Sequence, residues 1–190
     1  MLVFINTTFE REVLEMRFLD LAKKRYTVRS YTTQAVEKEK LDIILETGRV
    51  APTGANMQPQ HLIVVQGETG LNKIGKAANI YNAPLAIIVC SDKGKTWTRP
   101  FDGKKLTDID ASIVTDHMML SATDLDLGSV WVCYFNPDII KQEFHLPDNL
   151  EPVNILAIGY ADTEKESAQT PCRHSSSRNE LSTMVSFETL

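Results

Sequence analysis

The run Ala51-Pro52-Thr53-Gly54-Ala55-Asn56-Met57-Gln58-Pro59 separates two apolar patterns and carries amides and hydroxyls in a turn-forming context. Gly, Pro and Asn are what turns use, and a plain turn is one reading of it. Upstream, Arg25-Tyr26-Thr27-Val28-Arg29-Ser30-Tyr31 closes a helical pattern with two guanidiniums and a hydroxyl within five residues. Arginine stays charged and presents a planar fork of donors that suits a pair of phosphate oxygens. Either arginine alone reads as a surface cation, since arginines are mostly exposed. Taken together, the two segments offer charge for a phosphate and amides for the edge of a flat heterocycle. That combination points to a nucleotide-like cofactor.

The 190 residues predict a single domain over 1–190, with enough chain to bury a core unaided. At 43% hydrophobic and 24% charged, the composition is that of an ordinary soluble globular chain. A net charge of -5 and the lack of a long basic cluster argue against nucleic acid as a partner, because phosphate backbones are met by basic faces. Cys90, Cys133 and Cys172 are widely spaced and odd in number, so neither a disulfide framework nor a zinc site is expected. A reducing, cytoplasmic setting follows. The apolar stretches fall far short of the about 20 residues a membrane span needs. The apolar start, Met1 to Ile5, lacks a basic flank and meets Glu10-Arg11-Glu12 too early for a signal peptide.

Apolar residues at helical spacing predict helices over residues 9–24, 36–50 and 110–125, the last the strongest, with shorter ones over 71–78 and 137–144. Thr33 to Glu37 supplies a start for the second, and Leu127-Gly128 a stop for the third. Apolar runs at 62–65, 84–89, 129–135 and 153–160 predict strands. Residues 91–108, with Trp97, Arg99 and Phe101, read as a long polar loop of the kind that forms lids or binding loops. Residues 179–187 read as a short extension. Helices and strands interspersed in this way predict an α+β domain around a central sheet.

Motifs for other chemistries are missing. The chain has no Gly-x-Gly-x-x-Gly, no Walker A loop and no Gly-x-Ser-x-Gly elbow. His61, His117, His145 and His174 have no metal-like spacing, so no metal is expected. The two opening segments, with Asn82-Ala83-Pro84, Leu127-Gly128-Ser129-Val130-Trp131 and Arg173-His174-Ser175-Ser176-Ser177-Arg178-Asn179-Glu180-Leu181, follow one another as in the FMN-dependent nitroreductases. From about Met16 to Phe187 the chain resembles that family.

The resemblance implies a nitroreductase-like α+β fold, with a central mixed, mainly antiparallel sheet flanked by helices. It also implies a homodimer with two FMN sites at the interface, each built from both chains. By the same resemblance, Arg25, Tyr26, Thr27 and Arg29 hold the FMN phosphate and flavin edge, and Arg178 completes the phosphate site. Here Tyr26 and Thr27 replace the family's usual second Arg and Ser, and Ser176 replaces a basic residue of some members. Pro52, Thr53, Gly54 and Asn56 correspond to the segment given by the partner subunit. Asn82 stands where the family often bonds the isoalloxazine. Trp131, Val132, Cys133 and Tyr134 stand where the flavin packs and receives a backbone N–H, although the family often has Gly near Tyr134.

The implied activity is reduction of an electron-poor small molecule, a nitroaromatic or quinone, by NADH or NADPH through FMN in ping-pong fashion. The flavin carries the chemistry, so no catalytic side chain is expected. The alternatives are a flavin-binding protein without turnover, or a same-fold reductase or dehydrogenase of another substrate.

Overall fold

Leu85–Asp92 (β2) forms the centre of the molecule, and Leu85 through Cys90 have no solvent exposure at all. A strand buried on both faces reads as a continuous apolar run, which is why Leu85-Ala86-Ile87-Ile88-Val89 shows no alternation. The computed structural model of the chain describes residues 17–166 and 177–189. Its sheet has four strands in the order β1-β2-β4-β3, where β1 is Gln60–Val65, β3 is Gly128–Val132 and β4 is Leu150–Gly159. All three pairings are antiparallel. The parallel component is a single bridge, Thr27 to Ser129, at the β3 edge.

Helices cover both faces. Glu68–Gly75 (α3) and Pro137–Glu143 (α5) bury Ile74 and Ile140 against Ile88, Cys90 and Ile155. On the other face, Lys38–Val50 (α2) and Thr107–Asp124 (α4) bury Ile44, Val114 and Met118 against Ile87, Val89 and Leu156. Phe18–Lys24 (α1) packs near α4, and Thr163–Glu166 (α6) is a single turn.

Several boundaries differ from the sequence reading, each for a local reason. The helix expected over 9–24 is seen from Phe18, and residues 9–16 lie outside the described residues. The second helix starts at Lys38 because the Thr32 N–H is bonded to Tyr160 O (2.9 Å), which holds the chain extended against the end of β4. Helix α3 begins earlier than residue 71, since Gly67 O already accepts the Leu71 N–H (2.9 Å). Strand β4 begins earlier than Val153 despite Pro152, which pairs with Cys90 beside a register shift at Val89/Cys90. A bulge is where a central strand tolerates proline. Strand β3 ends at Val132, not Phe135: Asn136 caps α5 with its side chain and bonds Ala77 O (3.0 Å) through its own N–H, drawing the chain off the sheet.

The stop after α4 is also not the glycine. Asp126 takes the left-handed conformation (φ 59), the Leu127 N–H bonds Ala122 O (2.8 Å) and the Asp126 N–H bonds Thr123 O (3.2 Å). These are the two bonds of a Schellman cap. Gly128 is required by packing instead. A Cβ there would lie 2.6 Å from Val28 Cγ2, and Val28 is fully buried.

Residues 91–108 are more ordered than a plain loop. Ser91 and Asp92 belong to β2, and the chain then forms a hairpin with a bridge between Thr98 and Lys105. The Arg99 side chain pairs with Asp102, and Gly103 (φ 71) closes the turn. Phe101 stands at the tip, 96% exposed. Among the described residues, no helix is long and apolar enough to cross a membrane.

Candidate functional site

The segment carrying Arg25, Tyr26, Thr27 and Arg29 is fixed to the edge of the sheet. Arg25 is the C-cap of α1 and its N–H bonds Leu21 O. Thr27 bridges Ser129, the Val28 N–H bonds Ser129 O (3.0 Å), and Tyr26 packs against the core beneath α3 and α5. The chain then crosses the end of the sheet. Tyr31 is buried, donates its hydroxyl to Val28 O (3.0 Å) and bridges Ala161. This leaves Arg29 exposed, with its guanidinium 6.0 Å from the centre of the Tyr81 ring.

Asn82 lies in the same neighbourhood. Tyr81 (φ 57) and Asn82 (φ 59) form a left-handed pair, steadied by the Tyr81 N–H bonding Asn79 Oδ1 (2.8 Å). Both line an open cleft of about 840 Å³ that also takes in Thr33, Gln66, Asn72 and Asn79. Asn82 is exposed.

Trp131 and Val132 end β3, two and three residues beyond the Ser129 bridge. The Trp131 ring packs on the α4 side of the sheet, and its Nε1 is buried with no hydrogen-bond partner among the described residues. Its side chain is therefore half-buried against the core on that face. Cys133 and Tyr134 leave the strand fully at the surface, Tyr134 with 97% exposure. Arg178 is exposed, at the start of the described stretch 177–189. Residues 173–176 of the same motif lie outside the described residues.

The second segment sits elsewhere. Pro52 and Asn56 are exposed, and Thr53 and Gly54 partly so. A short 3-10 turn spans Gly54–Asn56, and Ala55 (φ 49), Asn56 (φ 55) and Gln58 (φ 49) are all left-handed. The Gln58 N–H bonds Thr53 Oγ1 (3.0 Å), and Pro59 O accepts the Asp92 N–H (2.8 Å). The loop is therefore level with Asp92, the last residue of β2. The Thr27 bridge is level with Ser129, which pairs with Ile158 beside Leu85 at the start of β2. At about 3.3 Å per strand residue and about 4.8 Å per strand, the two segments of one chain lie on the order of 30 Å apart. One chain brings Arg25, Tyr26, Thr27, Arg29 and Asn82 to one end of the sheet, with Trp131 and Val132 further along β3 and Cys133 and Tyr134 just beyond its end. It does not bring Pro52, Thr53, Gly54 or Asn56 to them.

Two residues were not picked out from sequence. Tyr81 flanks Arg29, and Asp110 holds Gly54 through a 2.8 Å bond from the Gly54 N–H to Oδ1. The available signal for Asp110 was a carboxylate abutting Ala111 and Val114 on the most apolar helix face. Among the described residues, no group of three or more His, Cys, Asp or Glu could hold a metal.

Comparison with known proteins agrees with this architecture. The model of the nitroreductase family matches residues 22–80 and 73–160. A nitroreductase family protein from Clostridium difficile 630 is 64% identical, covers 92% of this chain and all of its own, and superposes with a TM-score of 0.87. An FMN-dependent nitroreductase from Clostridium difficile R20291 is 28% identical, with 90% of this chain and 99% of that one covered and a TM-score of 0.73. A relative from Methanothermobacter thermautotrophicus, provisionally named NADH dehydrogenase/NAD(P)H nitroreductase, is 29% identical over 164 residues, 82% of this chain and 83% of that protein. The chain belongs to the nitroreductase family.

Proposed function

We propose that the chain is an FMN-dependent oxidoreductase. It takes reducing equivalents from NADH or NADPH and delivers them to electron-poor small molecules such as nitroaromatics or quinones. The observation that carries this reading is the attachment of the Arg25–Arg29 segment to β3 through Ser129. That attachment sets the arginine-bearing segment beside a strand whose end runs out to the surface at Cys133 and Tyr134.

The donor set fits FMN. Guanidinium forks match a phosphate dianion, and among the described residues β3 pairs with β4 no further than Val132, so the N–H groups that follow are assigned to the ring. Arg25 and Arg29, with Thr27 between them, are assigned to the phosphate and the flavin edge, and Arg178 to the same phosphate. Asn82 is assigned to the ring edge on the Tyr81 side. Bound flavin supplies the hydride and electron transfer, and the protein supplies orientation and electrostatics. Residues 131–134 keep water from one face, so that reductant and acceptor occupy the other face in turn.

Pro52, Thr53, Gly54 and Asn56 are assigned to the flavin of a second copy of the chain. Their distance from the arginines within one chain supports this. So do exposed apolar side chains on a single chain: Phe18 and Leu19 on α1, Val50 on α2, and Leu181, Met184 and Phe187 in the C-terminal stretch are 59–87% exposed.

Reconstitution tests the reading. Protein loaded with FMN is expected to be yellow, to bleach with NADH or NADPH, and to recolour on adding a quinone or nitroaromatic. Double-reciprocal plots at several fixed acceptor concentrations are expected to be parallel. Yellow protein that nicotinamides cannot bleach refutes turnover. Protein that takes up no FMN refutes the site.

A further inference from the structure

We infer that Asp110 is a positioning residue for the 52–58 loop and ties it to the 93–106 hairpin. The inference rests on the assignment of that loop to a flavin. Asp110 is 1% exposed in the first turn of α4, a helix of 18 residues. Its Oδ1 accepts the Gly54 N–H at 2.8 Å, and its Oδ2 is buried with no hydrogen-bond partner among the described residues. A carboxylate taken out of water is costly unless its oxygens are satisfied. One that spends a single bond on a loop amide is poorly placed for stability and well placed to hold that loop.

The loop needs holding. Three non-glycine residues in the left-handed region, Ala55, Asn56 and Gln58, persist only where surroundings over-determine them. The bonds within the loop, Asn56 N–H to Thr53 O, Met57 N–H to Gly54 O and Gln58 N–H to Thr53 Oγ1, close it on itself. They do not fix it to the body of the protein. At the far end that is done by the Asp92 N–H on Pro59 O, and at the near end by Asp110.

Gly54 also sits against the hairpin. A Cβ there would meet Leu106 Cδ1 at 2.8 Å and Trp97 Cβ at 3.2 Å, and the Leu106 N–H is bonded to Trp97 O (3.0 Å). Asp110 follows Leu106 by one helical turn, its N–H bonded to Leu106 O (2.9 Å). The base of the hairpin, the start of α4 and the loop thus meet at Gly54. A shift at Trp97 therefore reaches the loop amides, whereas a change at the exposed tip Phe101 does not.

The test compares Asp110→Ala with Asp110→Asn, which keeps an acceptor oxygen and the side-chain shape. Exchange of the Gly54 amide is followed by NMR in flavin-free protein, and FMN affinity by titration. Asp110→Ala is expected to speed Gly54 exchange and weaken FMN binding, each by about tenfold, the scale of one lost charged hydrogen bond. Asp110→Asn is expected to restore both to within about threefold of the parent, by the same scale. If Asp110→Ala does not fold, Asp110→Leu, which fills the buried space but cannot accept the Gly54 N–H, takes its place with the same expected losses. Parent protein that binds FMN while the folded variant binds it equally well overturns the inference alone. Parent protein that binds no FMN overturns the functional reading together with it.

Discussion

The side chain of Val28 occupies the space that any Cβ on Gly128 would need, at 2.6 Å from Cγ2. The contact presses the arginine-bearing segment onto β3 one residue before the Thr27–Ser129 bridge. Gly128→Ala is expected to cost about 1–3 kcal/mol of stability, the range for overpacking a filled interior. It should also weaken FMN binding, since the segment can relieve the clash only by moving off β3. Adding Val28→Ala should recover part of both effects. Thermal melts and FMN titrations of the single and double variants give the coupling, and strictly additive losses would mean the contact does not position the segment.

The cofactor's charge is the second handle. Charge-assisted bonds to a phosphate contribute about 1.5–3 kcal/mol each. Arg25→Ala and Arg29→Ala are each expected to raise the FMN dissociation constant about tenfold or more. Riboflavin, which lacks the phosphate but keeps the flavin edge, should lose less affinity than FMN in both variants. Unchanged FMN affinity in both variants would remove the arginines from the site.

Thiol chemistry separates the two described free cysteines. Cys90 is buried in the centre of β2, and burial, with a smaller contribution from Glu151, pushes its thiol from 9.0 up to about 12. It should resist alkylation in the native protein at neutral pH, whereas exposed Cys133 should react, as mapped by mass spectrometry. Saturating FMN should slow the reaction at Cys133. The sign of the pH effect follows from the raised value. Below pH 9 the thiol is protonated in both folded and unfolded chains. As pH rises from about 9 to about 12 the unfolded chain releases the proton first, so stability falls across that window. An alkaline melting series on Cys90→Ser, compared with the parent, measures that share.

The positions of the helices and strands were legible in the sequence, because apolar spacing reports burial and burial defines the elements. Residues 84–89 read as a strand for the same reason that β2 is the most buried element. What the sequence concealed were effects of partners distant along the chain. Pro152 reads as a strand break, and only the bulge opposite it at Val89/Cys90 admits it into β4. Gly128 reads as a helix stop, while its cause is Val28, a hundred residues away in sequence. Of the candidate site, the arginine segment was visible as two guanidiniums and a hydroxyl within five residues at a helix end. Asp110 was legible only as a carboxylate on an apolar helix face, and its role was not, because its partner is a backbone amide with no signature in the sequence.

The 93–106 hairpin divides into a base and a tip with different consequences. Phe101 is expected to govern acceptor choice, so that Phe101→Ala changes relative kcat/KM among quinones and nitroaromatics while FMN content stays constant. Trp97→Ala should lower FMN affinity as well, through Gly54. Equal effects of the two substitutions on flavin content would contradict that division.

The central claim, that each flavin is held by the arginine segment of one chain and the 52–58 loop of another, is tested most directly by complementation. One chain carries Arg25→Ala with Arg29→Ala, and the other carries Asn56→Ala with Gly54→Ala. The two are co-expressed with different tags and the mixed species isolated through both. Each variant alone is expected to bind FMN poorly. In the mixed dimer one site combines the intact arginines of one chain with the intact loop of its partner, so tight FMN binding should return at half the parent stoichiometry. Mixed species that bind no better than either variant alone would show that both segments serve a flavin within a single chain, or none at all.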